Sequence, residues 1–357
     1  MGWYTVGMRW LMITMLIVAW GCGKSPVSEL QPEVTFDLAK PARIELRVLG
    51  EPGLWKQDNM LVFPNAETNL NQTNRFTATT QESWALRGNL LLLETEISGE
   101  QPGYELVVKN YNASAATNRY RCTWFYDDGL VRGYAGQWRP KQARMDWLPL
   151  YLSGAAKGFD IQMAEISTGP MEKQLDFQIT INGKVTLSGL FKAKHAGNNV
   201  RPEGGSDPAS KELGRLGRGG IWKETQTVSE GGATKNLELL NRMRWSRGGK
   251  FLINEGVVNQ EGASEYFMWV KTWDAEDDVY RWAYFFQNGS IEHFTGRWDA
   301  AKQLITWRLV WPVSNLGKVL RERFLGPEKR SWTFEVQNAS GIIATGSGGS
   351  QFKGNAE

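Results

Sequence analysis

The sequence predicts an all-β protein, two tandem antiparallel up-and-down barrels behind a short exported N-terminal segment. Three observations carry this. A long motif occurs twice along the chain. Short runs of aromatic and β-branched residues are punctuated by hairpin turns. No long stretch keeps the apolar period of a helix.

The opening residues read as a leader. Arg9 is the sole charge before Lys24, and an apolar run follows it to Trp20, ahead of Gly21-Cys22-Gly23. This is the layout of a secretory signal, and the run is shorter than the roughly 20 apolar residues a transmembrane helix needs. Ala19-Trp20-Gly21-Cys22 resembles a bacterial lipobox, which implies a lipid anchor at Cys22 and a place in the cell envelope, facing periplasm or exterior. The expected organisation is therefore a signal over residues 1–22, a tether over 23–41, a first barrel over 42–195, a linker over 196–215 and a second barrel over 216–353. Cys122 is the only other cysteine, so stability must come from packing, for which the chain holds 17 Trp, 15 Phe and 10 Tyr. A net charge of +3 with interspersed acids and bases gives no argument for a nucleic-acid partner.

The repeat defines the two copies. Leu49-Gly50 with Trp55-Lys56 returns as Leu216-Gly217 with Trp222-Lys223, and Trp84 returns as Trp245. Tyr120, Arg121, Phe125, Gly129, Gly136, Trp138 and Trp147 recur at one constant offset as Tyr280, Arg281, Phe285, Gly289, Gly296, Trp298 and Trp307. Chance does not readily keep tryptophans, glycines and a Tyr-Arg pair in register. Between the copies, the Gly-, Asn- and Pro-rich stretch from Ala196 to Pro208 reads as the linker.

Within each copy the elements are strands. The run from Val279 to Phe286 is followed by Asn288-Gly289, and the first copy repeats the arrangement up to Tyr126 and Asp128-Gly129. Phe177 to Leu187 reads as another hairpin around Asn182-Gly183. About ten strands fit each copy, and closing such a meander removes its edges. A two-sheet sandwich is the alternative.

Taking Asn288-Gly289 as the centre of a two-residue turn places Phe286 opposite Ile291, Tyr284 opposite His293, Trp282 opposite Thr295 and Tyr280 opposite Arg297, all on one face. In a small barrel that face points inward, either filling the interior or lining a cavity. The candidate ligand-binding set is Tyr280, Trp282, Tyr284, His293 and Thr295. Arg281 and Glu255 join it as a charged pair matched by Arg121 and Glu94 in the first copy.

The pattern Tyr280-Arg281-Trp282, Asn288-Gly289-Ser290, Gly296-Arg297-Trp298-Asp299 and Thr306-Trp307, with Gly220-Ile221-Trp222 ahead of it, resembles the bacterial domain of unknown function 1579. The resemblance implies lipocalin-type (calycin) barrels and no established activity. It covers nearly all of the second copy and extends loosely to the first, where Cys122 replaces Trp282 and Arg139 replaces Asp299.

Catalytic constellations are not visible. The chain has 2 His, in different copies at unmatched positions, and no Gly-x-Ser-x-Gly elbow. The glycine-rich 214–220 lacks the Gly-Lys-Ser/Thr ending of a phosphate loop. His293 reads as a bonded strand histidine rather than a haem ligand, and the acidic run 274–278 reads as a solvated loop rather than a calcium site. The expectation is a lipid-anchored envelope protein without cofactor or metal. At least one of its barrels binds a small apolar or amphipathic ligand without catalysis, the second copy being favoured because it keeps more of the family pattern. The alternatives are a structural or protein-interaction module with filled barrels, and an enzyme working through carboxylates alone.

Overall fold

The computed structural model describes residues 42–64, 71–100, 102–154, 159–169, 171–197, 207–260 and 263–355. Cys22 with its leader, the predicted tether and the middle of the predicted linker lie outside the described residues. Among the described residues no helix is long and apolar enough to cross a membrane.

The chain forms two closed barrels of consecutive antiparallel strands. The first comprises β1 Gly53–Pro64, β2 Asn71–Ala85, β3 Leu90–Ser98, β4 Gly103–Tyr111, β5 Tyr120–Tyr126, β6 Val131–Arg139, β7 Arg144–Leu152, β8 Asp160–Gly169, β9 Glu172–Ile181 and β10 Lys184–Gly197. The second comprises β11 Gly220–Glu230, β12 Ala233–Trp245, β13 Leu252–Gln260, β14 Ala263–Asp274, β15 Val279–Phe286, β16 Ile291–Asp299, β17 Leu304–Trp311, β18 Gly317–Phe324, β19 Lys329–Asn338 and β20 Gly341–Gly354. Closure comes from β1 on β10, with Trp55 opposite His195, and from β11 on β20, with Trp222 opposite Phe352. No edge is left to pair elsewhere.

A short helical segment plugs one end of each barrel. A 3-10 helix at Ile44–Leu49 inserts Leu46 and Leu49 below the first. Helix α1, Lys211–Gly214, brings Leu213 and Leu216 below the second, with Ser210 accepting a hydrogen bond from the Leu213 amide as its cap. The first tryptophan of each barrel fastens the plug segment, since Trp55 Nε1 donates to the Glu51 carbonyl and Trp222 Nε1 to the Arg218 carbonyl.

The predicted register of the central hairpins is corrected by one residue. Phe285, not Phe286, faces Ile291, and Ala283 faces His293, Trp282 faces Phe294, Arg281 faces Thr295 and Tyr280 faces Gly296. The Gly289 amide donates to the Phe286 carbonyl and the Phe286 amide to the Ser290 carbonyl. Gln287 and Asn288 therefore form the bend, and Gly289, at φ 87°, adds a bulge residue that the two-residue turn lacks. One extra residue moves every side chain of the partner strand to the other face. Tyr126 and Leu130 repeat the bond in the first barrel, so Phe125 faces Val131 and Cys122 faces Tyr134. The Asn182-Gly183 hairpin does have the two-residue turn, with both central residues at positive φ and Ile181 opposite Lys184.

The displaced faces make the contact between the barrels. Phe125, Leu90, Leu92, Leu106 and Val108 pack against Phe285, Phe251, Ile253, Met268 and Val270. Phe125 and Phe285, equivalent in the repeat, meet with ring centroids 6.5 Å apart. The matched turns dock reciprocally. A Cβ on Gly129 would strike the Trp273 carbonyl and one on Gly289 the Tyr111 carbonyl. The barrels are thus related by an approximate two-fold, as in an isologous dimer. They run in opposite directions: Arg87, at the plugged end of the first, lies 4.3 Å over the ring of Tyr266, at the open rim of the second.

Candidate functional site

Strand alternation sends Phe267, Trp269 and Lys271 of β14 and Tyr280, Trp282, Tyr284 and Phe286 of β15 into the second barrel. Phe294 of β16 and Trp307 of β17 join them. All but Tyr280 and Trp307 border a cavity of about 440 Å³, within the range of roughly 300–1,000 Å³ usual for small-molecule sites. The rim residues that border it belong to the end carrying the β11–β12, β13–β14, β15–β16 and β19–β20 turns. The plugged end is closed. The equivalent space in the first barrel is about 70 Å³.

The cavity is polarised. Below a rim that carries Glu230, Lys235, Glu265 and Lys318, its walls are apolar, with Leu237, Leu239, Val258, Phe286, Phe334 and Val336. Deeper in, Glu322 gathers the charges. Lys271 Nζ donates to its Oε2 at 2.7 Å, Trp307 Nε1 to the same oxygen at 3.0 Å, and Arg330 Nη1 to Oε1 at 3.1 Å. The Lys271 ammonium stands 4.8 Å from the Trp269 ring and 4.9 Å from those of Trp282 and Trp307. Arg330 lies 4.3 Å over Trp222. Ring faces stabilise cations most where water is excluded.

Burial acts to raise Glu322, but Lys271 and Arg330 outweigh it and hold the carboxyl below its ordinary range. Burial pulls the Lys271 ammonium down, and Glu322 restores only part of the loss. Glu224 on β11 also faces the cavity, with Asn241 Nδ2 donating to it at 3.3 Å. Burial pushes Glu224 up to about 7, against the opposing pull of Arg330 and Lys271.

The first barrel carries the same motif. Lys109 Nζ donates to both oxygens of Glu165 at 2.7 Å, and Lys173 lies 4.3 Å over the Trp55 ring. Lys173 ion-pairs with Glu82, so two carboxylates serve two lysines there. The repeat thus contains a buried cation-carboxylate-tryptophan unit that the sequence comparison misses. The extra length between β4 and β5 breaks the constant offset just where Lys109 and Lys271 would align. The remaining signal is the alternation that puts Lys271 in phase with Phe267 and Trp269.

The predicted set divides. Trp282 and Tyr284 border the cavity. Tyr280 is buried at the plugged end, its hydroxyl donating to the Glu212 carbonyl at 3.1 Å. The hairpin correction moves His293 and Thr295 to the outer wall, where Arg281, alternating with the inward Tyr280 and Trp282, stands as its strand position predicts. His293 stacks on Tyr151 of the first barrel with centroids 4.6 Å apart, and burial pulls its imidazole down to about 3. Arg281 donates to Asp274 at 2.6 Å, to Asp277, and to Thr295 Oγ1 at 3.3 Å, so the expected pairs of Arg281 with Glu255 and of Arg121 with Glu94 do not form. Asp274 is fully buried beneath this pairing rather than solvated. Glu255 accepts from the Leu86 amide at 3.4 Å, and Glu94 pairs with Arg244 at 2.6 Å, both across the barrel contact. Arg121 donates to the carbonyls of Asn118 and Tyr120. Burial pushes the Cys122 thiol up to about 12, so it stays protonated. Among the described residues no group of three His, Cys, Asp or Glu side chains is placed to hold a metal ion.

Fold and site together define a tandem β-barrel protein with two plugged barrels, one hollow and one nearly filled. No family model matches the chain and no curated protein matches it significantly. Among solved structures, the chain is similar to a protein of unknown function from the DUF3598 family of Nostoc punctiforme, with 12% identity, 87% of this chain and 100% of that one covered, and a TM-score of 0.26. It is similar to an S-type phycobiliprotein lyase from Guillardia theta at 8% identity over 41% of this chain and 93% of that one, with a TM-score of 0.30. A transferrin binding protein B from Haemophilus parasuis matches at 9% identity over 85% and 76%, with a TM-score of 0.21. Likenesses this distant say nothing about ligand or activity, and the fold assignment rests on the strand pairing itself.

Proposed function

We propose that the second barrel binds a small apolar or amphipathic ligand and that the first barrel is its packed structural partner. The observation that carries this is the 440 Å³ cavity with aromatic walls and one open end. Apolar surface facing such a space gains stability when a ligand replaces the water there. The ring of Trp282 borders it with an Nε1 donor that is buried and has no hydrogen-bond partner. Native mass spectrometry of the full chain, before and after organic extraction, tests the reading. A small molecule released on extraction supports it. A chain that stays empty after incubation with a panel of single-chain amphiphiles refutes it.

Membership in the domain of unknown function 1579 family, and lipid anchoring at Cys22 with a place in the cell envelope, belong to the same proposal. They are supported by the repeated motif and by the lipobox-like Ala19-Trp20-Gly21-Cys22. Fatty-acid labelling that persists in a Cys22→Ala chain removes the anchor from the reading.

A second reading is favoured by Glu224. A carboxyl at about 7 beside Glu322 and Lys271 in one cavity suits proton transfer to or from a bound molecule. Under that reading a Glu224→Gln chain binds its ligand yet fails to convert it. Recovery of the released molecule chemically unchanged from both proteins favours simple binding.

A further inference from the structure

We propose that the ligand of the second barrel carries a carboxylate at one end of an apolar body and docks that end beside Lys271 and Arg330, taking up a proton at Glu224 as it binds. This rests on the binding role proposed above and names the chemistry of the molecule bound.

The distribution of polarity comes first. Glu224, Lys271, Glu322 and Arg330 hold the deep end, a band of hydrocarbon and aromatic side chains follows, and Glu230, Lys235, Glu265 and Lys318 stand at the rim. Such a space fits a molecule whose apolar body lies along Leu237, Leu239 and Val258 and whose polar end is inserted head first, because a polar group held against that band has no partner.

Hydrogen-bond demand identifies the head as an acceptor. Among the lining residues, the side-chain polar atoms left buried without a partner are Trp282 Nε1 and Arg330 Nε, and both are donors. Both oxygens of Glu322 are already taken, one by Arg330 and the other by Lys271 and Trp307. Unmet buried donors are costly, and an acceptor-rich ligand head relieves them.

Charge separates a carboxylate from a neutral acceptor. The groups facing Glu224 are Lys271 on β14, Arg330 on β19, Glu322 on β18, Tyr284 on β15 and the neutral amide of Asn241 on β12. With Glu224 protonated, two cations face one carboxylate, and the deep cavity holds an excess positive charge. A ligand anion supplies the missing charge, an alcohol leaves it uncompensated, and an amine adds to the repulsion. Because burial holds Glu224 near 7, protonation accompanies anion uptake close to neutral pH.

The test uses the delipidated full chain titrated calorimetrically with dodecanoic acid, dodecanol and dodecylamine. The acid is expected to bind at least about tenfold more tightly than the alcohol at about pH 6. That advantage shrinks as the pH rises to about 8 while Glu224 loses its proton. In Glu224→Gln, which mimics the protonated side chain, the advantage persists across this range. Equal binding of acid and alcohol, or preference for the amine, overturns the carboxylate assignment while leaving the binding role intact. A pH dependence unchanged in Glu224→Gln overturns the role of that residue. Binding of none of the three removes the cavity reading and this inference with it.

Discussion

The two barrels share strand order, plug, buried lysine-glutamate pair and stacked tryptophan, yet one interior is about 70 Å³ and the other about 440 Å³. Side-chain size alone predicts the reverse. The second barrel has Trp282, Trp269, Phe267 and Trp332 where the first has Cys122, Val107, Glu105 and Leu175. The difference lies in where the rings rest. Gly256 and Gly348 let Phe267 and Trp332 lie against bare backbone, since a Cβ at each glycine would overlap its ring, while Gly346 under Phe334 repeats Gly189 under Phe177 of the first barrel. At the position of Gly348 the first barrel has Phe191, whose ring meets Phe177 and Phe76 with centroids 5.3 and 5.8 Å away. Large residues on glycine-rich strands line a space, whereas a ring projecting from the wall fills it.

The sharpest way to break this comparison is at the shared ion pairs. Glu322 holds two cations, whereas Glu165 holds Lys109 while Glu82 serves Lys173. Glu322→Gln should therefore destabilise the second barrel by about 3–5 kcal/mol, the usual cost of stranding buried charge. Glu165→Gln should cost clearly less, as read from paired urea transitions. Equal losses would mean that the extra cation is not dependent on Glu322.

Acid sensitivity comes next. His293 packs on Tyr151, while its counterpart in the first copy is Gly133. The imidazole is held neutral down to about 3 in the folded chain, and an exposed histidine titrates near 6.5. The unfolded state therefore binds the extra proton between those values. The stabilisation is complete above about pH 6.5 and is lost progressively as the pH falls toward about 3. His293→Phe, which keeps a ring against Tyr151, should flatten the stability curve in that window by a few kcal/mol. A slope unchanged from the parent protein would place the acid sensitivity elsewhere.

Exchanging the interiors gives smaller effects. Phe191→Ala should enlarge the first cavity at a cost of about 1–3 kcal/mol, in the range of large-to-small core changes with partial exposure. Leu239→Trp places a ring in the second cavity and should weaken ligand binding about tenfold or more, equivalent to about 1.4 kcal/mol, with little change in thermal midpoint. Undiminished binding in Leu239→Trp would move the ligand out of the barrel.

The sequence carried much of this before any coordinates. Repeated Trp, Gly and Tyr-Arg positions announced two copies of one unit, and alternation in Val279–Phe286 put Tyr280, Trp282 and Tyr284 on one inward face. It failed at His293 and Thr295 for a local reason. Asn288-Gly289 supports either a two-residue turn or a bend with a glycine bulge, and the two differ by one residue. It failed at Glu255 for a distant reason, since its partner Leu86 follows from docking of the barrels, and at Arg281 for a nearby one, since Asp274 and Asp277 across the β14–β15 turn take its guanidinium.

What the chain determined alone is what depends on near neighbours: strand alternation, turn positions and the duplication that makes two barrels from one plan. Tertiary structure decided the register of the central hairpins, the burial of both faces of β15 and the identity of the hollow barrel. Each is a difference between alternatives of similar local energy, resolved when the copies pack. A void is the clearest case, since it is the space left once every ring has found its wall, and no single segment encodes it.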